Sequence, residues 1–328
     1  MRNGLVVLVF ALTLALALAL PVMAESPHWA YGFDGPATAN APAAAPAPAA
    51  APDTSMKSLA GSTLQFTLPQ IRNAFGPADW YPGDHPSMPE IVAKGKMPDV
   101  RACSLCHYPN GKGRPENAGV TGLPTSYFFQ TMKDFQDGSR TSADTRKPNT
   151  KVMITIAKGM TDTEIKAAAE YFASMKWSPW IEVIETKMVP KTHIAGGMFL
   201  SEGGEKEPIG NRIIETPKNA EETEMLRNPR SGFFAYVPMG SLKKGGALVT
   251  NGAGKTTACG MCHGADLRGM GPVPGLAGRS PSYLVRQMYD MQQGVRKGQW
   301  TELMKPVVAK LTEEDMMNIA AYAASQKP

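Results

Sequence analysis

The 328-residue sequence has only four cysteines, and every one sits in a C-x-x-C-H block: Cys103-Ser104-Leu105-Cys106-His107 and Cys259-Gly260-Met261-Cys262-His263. None is left over for a disulfide, a lone thiol nucleophile or a thiolate ligand outside the blocks. Charged residues amount to 19%, the net charge is only +5, and there is no run of Lys and Arg. A nucleic-acid-binding face is therefore not expected. After the first twenty residues no segment is apolar enough to span a bilayer. The 43% of hydrophobic residues is enough for packed cores, so the chain as a whole is not disordered.

The chain opens with Arg2, an apolar run from Leu5 to Leu20, Pro21, and then Val22-Met23-Ala24. A run of this length is short of the ~20 residues a spanning helix needs. It reads as a secretory signal peptide, residues 1–24, cleaved before Glu25. The expectation is a periplasmic protein with no membrane span after cleavage. Residues 25–56 read as an Ala/Pro-rich linker: between Pro36 and Pro52, 15 of 17 residues are Ala or Pro. Such a chain has little to bury and tends to an extended spacer. Ahead of it, His28-Trp29-Ala30-Tyr31-Gly32-Phe33 is an aromatic segment that either docks on the body or a partner, or stays free.

The two blocks belong to an internal repeat. At an offset of 156, Gly113, Gly119, Gly122, Ser126, Tyr127, Met132, Asp134, Gln136, Gly138 and Arg140 match Gly269, Gly275, Gly278, Ser282, Tyr283, Met288, Asp290, Gln292, Gly294 and Arg296. The first copy then has five extra residues. At an offset of 151, Met153, Thr161 and Tyr171 match Met304, Thr312 and Tyr322. Each copy ends on a capping box, Thr161-x-x-Glu164 and Thr312-x-x-Asp315. Apolar residues at helical spacing follow, Ile165, Ala168, Ala169 and Phe172 in one copy and Met316, Ile319, Ala320 and Ala323 in the other. Helices are also expected from Ser126 to about Gly138, from Ser282 to about Gly294, and from Ser241 to about Thr250.

A C-x-x-C-H block has a specific chemistry. Two cysteines three positions apart reach the two vinyl groups on one edge of a haem, and the adjacent histidine supplies an axial nitrogen. A zinc site would require both pairs in one place, which the repeat disfavours. A dithiol redox motif would need a βαβ pattern that is missing. The expected cofactors are two covalently bound haem c groups, held by Cys103, Cys106, Cys259 and Cys262 and ligated by His107 and His263. The aligned methionines Met153 and Met304 are the expected sixth ligands. Met160, opposite Leu311, reads as core, and Met132 and Met288 read as packing residues. His28, His85 and His193 are rival ligands, with His85 first among them. The second ring nitrogen of each axial histidine needs a carbonyl partner. Pro274 is well placed to provide it, with Ala118 as its counterpart.

These residues resemble the class I cytochrome c family, in particular its tandem dihaem periplasmic members. The likeness rests on the two C-x-x-C-H blocks, Pro274-Gly275-Leu276-Ala277-Gly278, the Tyr…Gln-Met…Gly-x-Arg helix at 283–296, and the Met ahead of the Ala-Ala-Tyr helix. The resemblance implies two domains of a few short helices, each wrapped around one haem with an exposed edge.

The expected fold is all-α: cytochrome c domain 1 at 57–177 and cytochrome c domain 2 at 241–328. A long irregular connector, 178–240, joins them with a few short strands at Trp180–Ile184, Gly210–Glu215 and Phe233–Pro238. The expected function is a carrier of single electrons between a dehydrogenase or quinol-oxidising complex and a terminal acceptor, with no catalytic residues. Expected partners are redox proteins, acidic ones if the basic segments around the blocks do the steering. The alternatives are a dihaem peroxidase, or the cytochrome subunit of a larger dehydrogenase.

Overall fold

The computed structural model describes residues 26–35 and 53–328. The signal-peptide reading of 1–24 and the Ala/Pro stretch of 36–52 lie outside the described residues. Among those described, helices dominate, and they form two helix-rich regions separated by a connector with short strands.

In the first helical region the attachment helix Cys103–His107 is followed by a middle helix, Thr125–Gln136, a methionine-bearing helix, Pro148–Gly159, and a terminal helix, Asp162–Ala173. The second region repeats the plan with Gly260–His263, Pro281–Gln292 and Glu313–Ser325. Both capping boxes form. Thr161 N donates to Glu164 Oε2 at 2.7 Å, and Thr312 N donates to Asp315 Oδ2 at 3.0 Å. Loss of either threonine cap would cost about 1 kcal/mol. The residues spaced for burial are buried: Ile165, Ala168, Ala169 and Phe172 in one helix, Met316, Ile319, Ala320 and Ala323 in the other. The copies differ around the aligned methionines. Met153 lies inside a twelve-residue helix. Met304 sits between a 3₁₀ turn, Gln299–Leu303, and a four-residue helix, Lys305–Val308.

Each region also has a helix ahead of its C-x-x-C-H block that packs on the terminal helix, the four-residue Glu90–Ala93 in the first and the longer Ser241–Asn251 in the second. At Gly245 the two backbones of the second pair approach so closely that a β-carbon would overlap the Asn318 carbonyl oxygen. Glycine there trades helix propensity for close packing.

The connector contains a three-stranded sheet. Ile181–Thr186 pairs parallel with Phe233–Pro238, which pairs antiparallel with Ile214–Pro217. Phe233, Ala235 and Val237 alternate with half-exposed neighbours and are fully buried, as expected of a strand with one face on a core. A hairpin that the apolar pattern did not announce runs from Met188–Ala195 to Met198–Pro208. It turns at Gly196-Gly197, both at positive φ, as a two-residue hairpin loop demands. Its inner end is buried, and its outer half consists mostly of exposed polar residues.

The aromatic segment docks. His28–Tyr31 forms one helical turn with Trp29, Ala30 and Tyr31 buried in the core of the second region. Tyr31 OH donates to Asp290 at 2.7 Å, and Trp29 Nε1 donates to Glu313 at 3.1 Å. The extra residues of the first copy receive the segment from the other side. There Arg146 donates to the Gly35 carbonyl and lies over the Phe33 ring, and Lys147 reaches the Tyr31 carbonyl.

Candidate functional sites: two adjoining apolar clefts

Each C-x-x-C-H block lines one cleft. The first is lined by Cys103, Cys106, His107 and Met153 together with Phe128, Met132, Met160 and Phe172. The second is lined by Cys259, Cys262, His263 and Met304 with Leu284, Met288, Ile319 and Ala323. Including their open mouths, the voids measure about 1150 Å³ and about 1600 Å³.

Local folding places the histidines. The first attachment helix puts His107 at its last position, and Nδ1 donates to the Ala118 carbonyl at 2.7 Å. The second does the same with His263 and the Pro274 carbonyl at 2.8 Å. With Nδ1–H fixed on a backbone oxygen, Nε2 is the nitrogen left for a metal. Burial pushes both imidazoles below their ordinary range and so favours the neutral, ligating form. Burial also pushes Cys103 up to about 12 and Cys259 up to about 11, which keeps both thiols protonated. An unmodified thiolate is not what these positions favour.

This donor set suits haem c. Each cleft combines two thiols, an oriented imidazole, methionine thioethers at matched repeat positions (Met132 and Met153 in one, Met288 and Met304 in the other) and a wall of aliphatic and aromatic side chains. Among the described residues no cluster of three or more His, Cys, Asp or Glu is arranged to hold a bare metal ion. The rival histidines are engaged elsewhere. The ring nitrogens of His85 pair with Pro86 O and Asp79 Oδ2. His28 lies 4.0 Å from Asp144, and His193 faces Glu202 on the hairpin. None of the three lines either cleft.

The clefts adjoin. Leu123, Tyr127, Thr131, Tyr283 and Gln287 line both. Across this wall the copies exchange partners: Arg140 donates to Tyr283 OH at 3.2 Å, and Arg296 donates to Tyr127 OH at 2.8 Å. Gln287 Oε1 accepts from both guanidiniums, at 2.8 and 2.9 Å. Arg279 crosses from the second copy to the Gly119 and Thr121 carbonyls and stacks on Trp177. Burial pushes Arg279 down to about 10. These wall residues were not singled out as functional from sequence. The signal was there, since Tyr127 and Tyr283, and Arg140 and Arg296, are matched repeat positions. A charged residue repeated in two buried cores is worth suspecting.

Comparisons with known proteins also find two copies in the chain. The family model for cytochrome c matches twice, over residues 92–176 and 243–327. Cytochrome c-554(548) of Halomonas halodenitrificans is 40% identical over 77 residues, 23% of this chain and 93% of that protein. Cytochrome c4 of Pseudomonas aeruginosa is 44% identical over 78 residues, which cover 23% of this chain and 37% of that protein. A longer match, 36% identical over 235 residues, covers 70% of this chain and 82% of a thiosulfate dehydrogenase electron acceptor from Stutzerimonas stutzeri.

Proposed function

The chain belongs to the cytochrome c family, with two c-type haem domains, and from that premise we propose that it is a periplasmic electron carrier. The observation that carries the reading is the pair of clefts sharing one wall, each with a C-x-x-C-H block and an aligned methionine. Cys103 and Cys106, and Cys259 and Cys262, would form the thioether links. His107 with Met153, and His263 with Met304, would supply the iron ligands. Haem bound in this way supplies a one-electron iron couple, with potential raised by methionine ligation.

The protein residues do the rest. Ala118 and Pro274 fix the imidazole rings, and the apolar walls exclude water and limit charge rearrangement around each site. Tyr127, Tyr283 and Gln287 hold the two sites side by side, so an electron crosses inside one molecule. No proton need move in such an exchange, and the surface that both clefts present is mostly apolar. A methionine in the same cleft as each histidine favours a closed carrier site over the open site a peroxidase needs.

The proposed donor is a dehydrogenase, with a thiosulfate dehydrogenase as the first to try, given the length of the match to the electron acceptor of such an enzyme. The test mixes oxidised two-haem protein with a thiosulfate dehydrogenase and thiosulfate and follows the haem absorption. Reduction of both haems within the enzyme's turnover time, and no peroxide turnover by the protein alone, is expected. A protein that consumes peroxide, or that loads no haem, overturns the carrier reading.

A further inference from the structure

The first copy is longer than the second by five residues between Arg140 and Met153, and this stretch carries Lys147. Lys147 is 4% exposed and lines the first cleft. Among the described residues no other lysine lines either cleft. The shorter stretch of the second copy has one lysine, Lys297, which is exposed and lines neither. A buried amine is therefore a feature of one site alone.

Three distant segments close over this amine. The N-terminal turn gives it the Tyr31 carbonyl, which accepts from Nζ at 3.3 Å. The tip of the connector hairpin follows, where a β-carbon on Gly197 would lie 3.8 Å from Nζ and 3.4 Å from Glu116 Cβ. The helix Pro281–Gln292 supplies Arg286 and Asp290, which line the same cleft. Among the described residues Lys147 has that one hydrogen bond and no ion pair.

The charged groups that face Lys147 are committed to other partners. Asp144 pairs with Arg146 at 2.7 Å and faces His28 of the N-terminal turn at 4.0 Å. Asp290 accepts from Tyr31 OH at 2.7 Å and from Ala143 N at 2.8 Å. Arg286 donates to the Ala30 and Pro115 carbonyls. Glu116 pairs with Arg114 through Oε1, and its buried Oε2 has no partner. It is the one neighbouring carboxylate with a buried oxygen left over for an ammonium. Burial, and then the Arg286 charge, push Lys147 down to about 7, so the amine and the ammonium are both accessible near neutrality.

An iron site carries one more positive charge when oxidised than when reduced. A buried ammonium in the wall of the same apolar cleft opposes that charge, and a neutral amine does not. The coupling is reciprocal: whatever the proton does for electron affinity, the electron does for proton affinity.

We propose that Lys147 couples the first site to a proton. Its neutral amine takes one proton from water as the site takes one electron from the donor protein, and the ammonium returns that proton to water when the electron leaves. Passing an electron needs no such step, but the coupling makes the first site the stronger electron acceptor in acid and the weaker one in alkali. The second site, with no lysine in its wall, is left unchanged by this group. The inference rests on the carrier reading and adds to it a proton link that separates the two sites.

The test is a potentiometric titration of the full chain loaded with two haems, between about pH 5.5 and about pH 8.5. One of the two midpoints is expected to fall by about 59 mV, a tenfold loss of electron affinity for a one-electron couple. Lys147→Met should abolish the fall and hold that midpoint at the wild type's alkaline value. Lys147→Arg, which stays charged, should also abolish it but hold the midpoint at the acid value or above. Damage to packing alone would move both variants the same way, so a shift in one direction for both overturns the link. A fall that persists in Lys147→Met, or a wild type with no fall, does the same. Should Lys147→Arg not fold, Lys147→Met decides by whether its flat midpoint sits at the alkaline value. A chain that binds no haem, or that turns over peroxide, overturns the carrier reading and the link together. Two reversible midpoints that neither variant alters overturn the link alone.

Discussion

Arg140 and Arg296, equivalent residues of the two repeats, face each other as an antiparallel backbone bridge, and each guanidinium reaches the tyrosine of the opposite repeat. The exchange gives the contact between the two haem-binding regions a local two-fold character. Gln287 breaks it, because its counterpart is Thr131, and one amide oxygen accepts from both arginines. Replacing Gln287 with leucine would leave two buried guanidiniums short of an acceptor. A loss of about 1–3 kcal/mol in urea unfolding is expected. A change within 0.5 kcal/mol, the ~0.5 kcal/mol typical of a surface substitution, would show that the bridge is dispensable.

Gly245 should defy the helix-propensity rule. In an exposed helix Gly→Ala stabilises by up to about 1 kcal/mol. Here the added methyl would meet the Asn318 carbonyl oxygen, which is backbone and cannot swing away. Gly245→Ala is expected to destabilise by about 2 kcal/mol or more, as overpacking does. A raised midpoint in thermal unfolding would refute the close approach.

The methionine assignment has a spectroscopic test. Met153→Ala and Met304→Ala should each remove about half of the far-red methionine–iron band and lower one midpoint potential, since methionine ligation raises it. Met160→Leu, in the same cleft, should leave the band intact. A band lost in Met160→Leu and kept in Met153→Ala would reassign the ligand.

Lys147 supplies a pH signature. Burial, with the nearby Arg286 charge, pushes its ammonium down to about 7 from an ordinary value of 10.5. Between those values the unfolded chain binds the proton and the folded chain does not. Stability attributable to this residue therefore rises with pH from about 7 upward, with a slope of at most about 1.4 kcal/mol per pH unit. Urea unfolding at pH 7 and pH 9, compared between the wild type and Lys147→Met, should show the variant with the shallower rise. Parallel pH dependences would mean that Lys147 stays charged.

The terminal helices, their caps and the two C-x-x-C-H blocks were legible because each is a local pattern. A capping box is three residues apart, a buried helical face repeats every three or four, and a haem attachment block is five residues long. The alignment of one copy on the other reduced twenty methionines to two matched pairs, Met132 with Met288 and Met153 with Met304, and the place of the first pair inside the amphipathic middle helices left the second as the candidates. The hairpin at 188–208 was hidden because its outer half is mostly polar on both faces, and so has no buried side to alternate with.

What the sequence by itself determined was the pair of sites and the chemistry each was built for, because haem attachment depends on contacts between near neighbours in the chain. Only the tertiary structure decided how the sites relate. The wall of Tyr127, Tyr283 and Gln287, the docking of Trp29 and Tyr31 on the second region, and the contacts that Arg227 and Glu224 make with the first all join residues more than a hundred positions apart. Such contacts form only when the folded cores bring distant segments together, so no periodicity or spacing along the chain announces them.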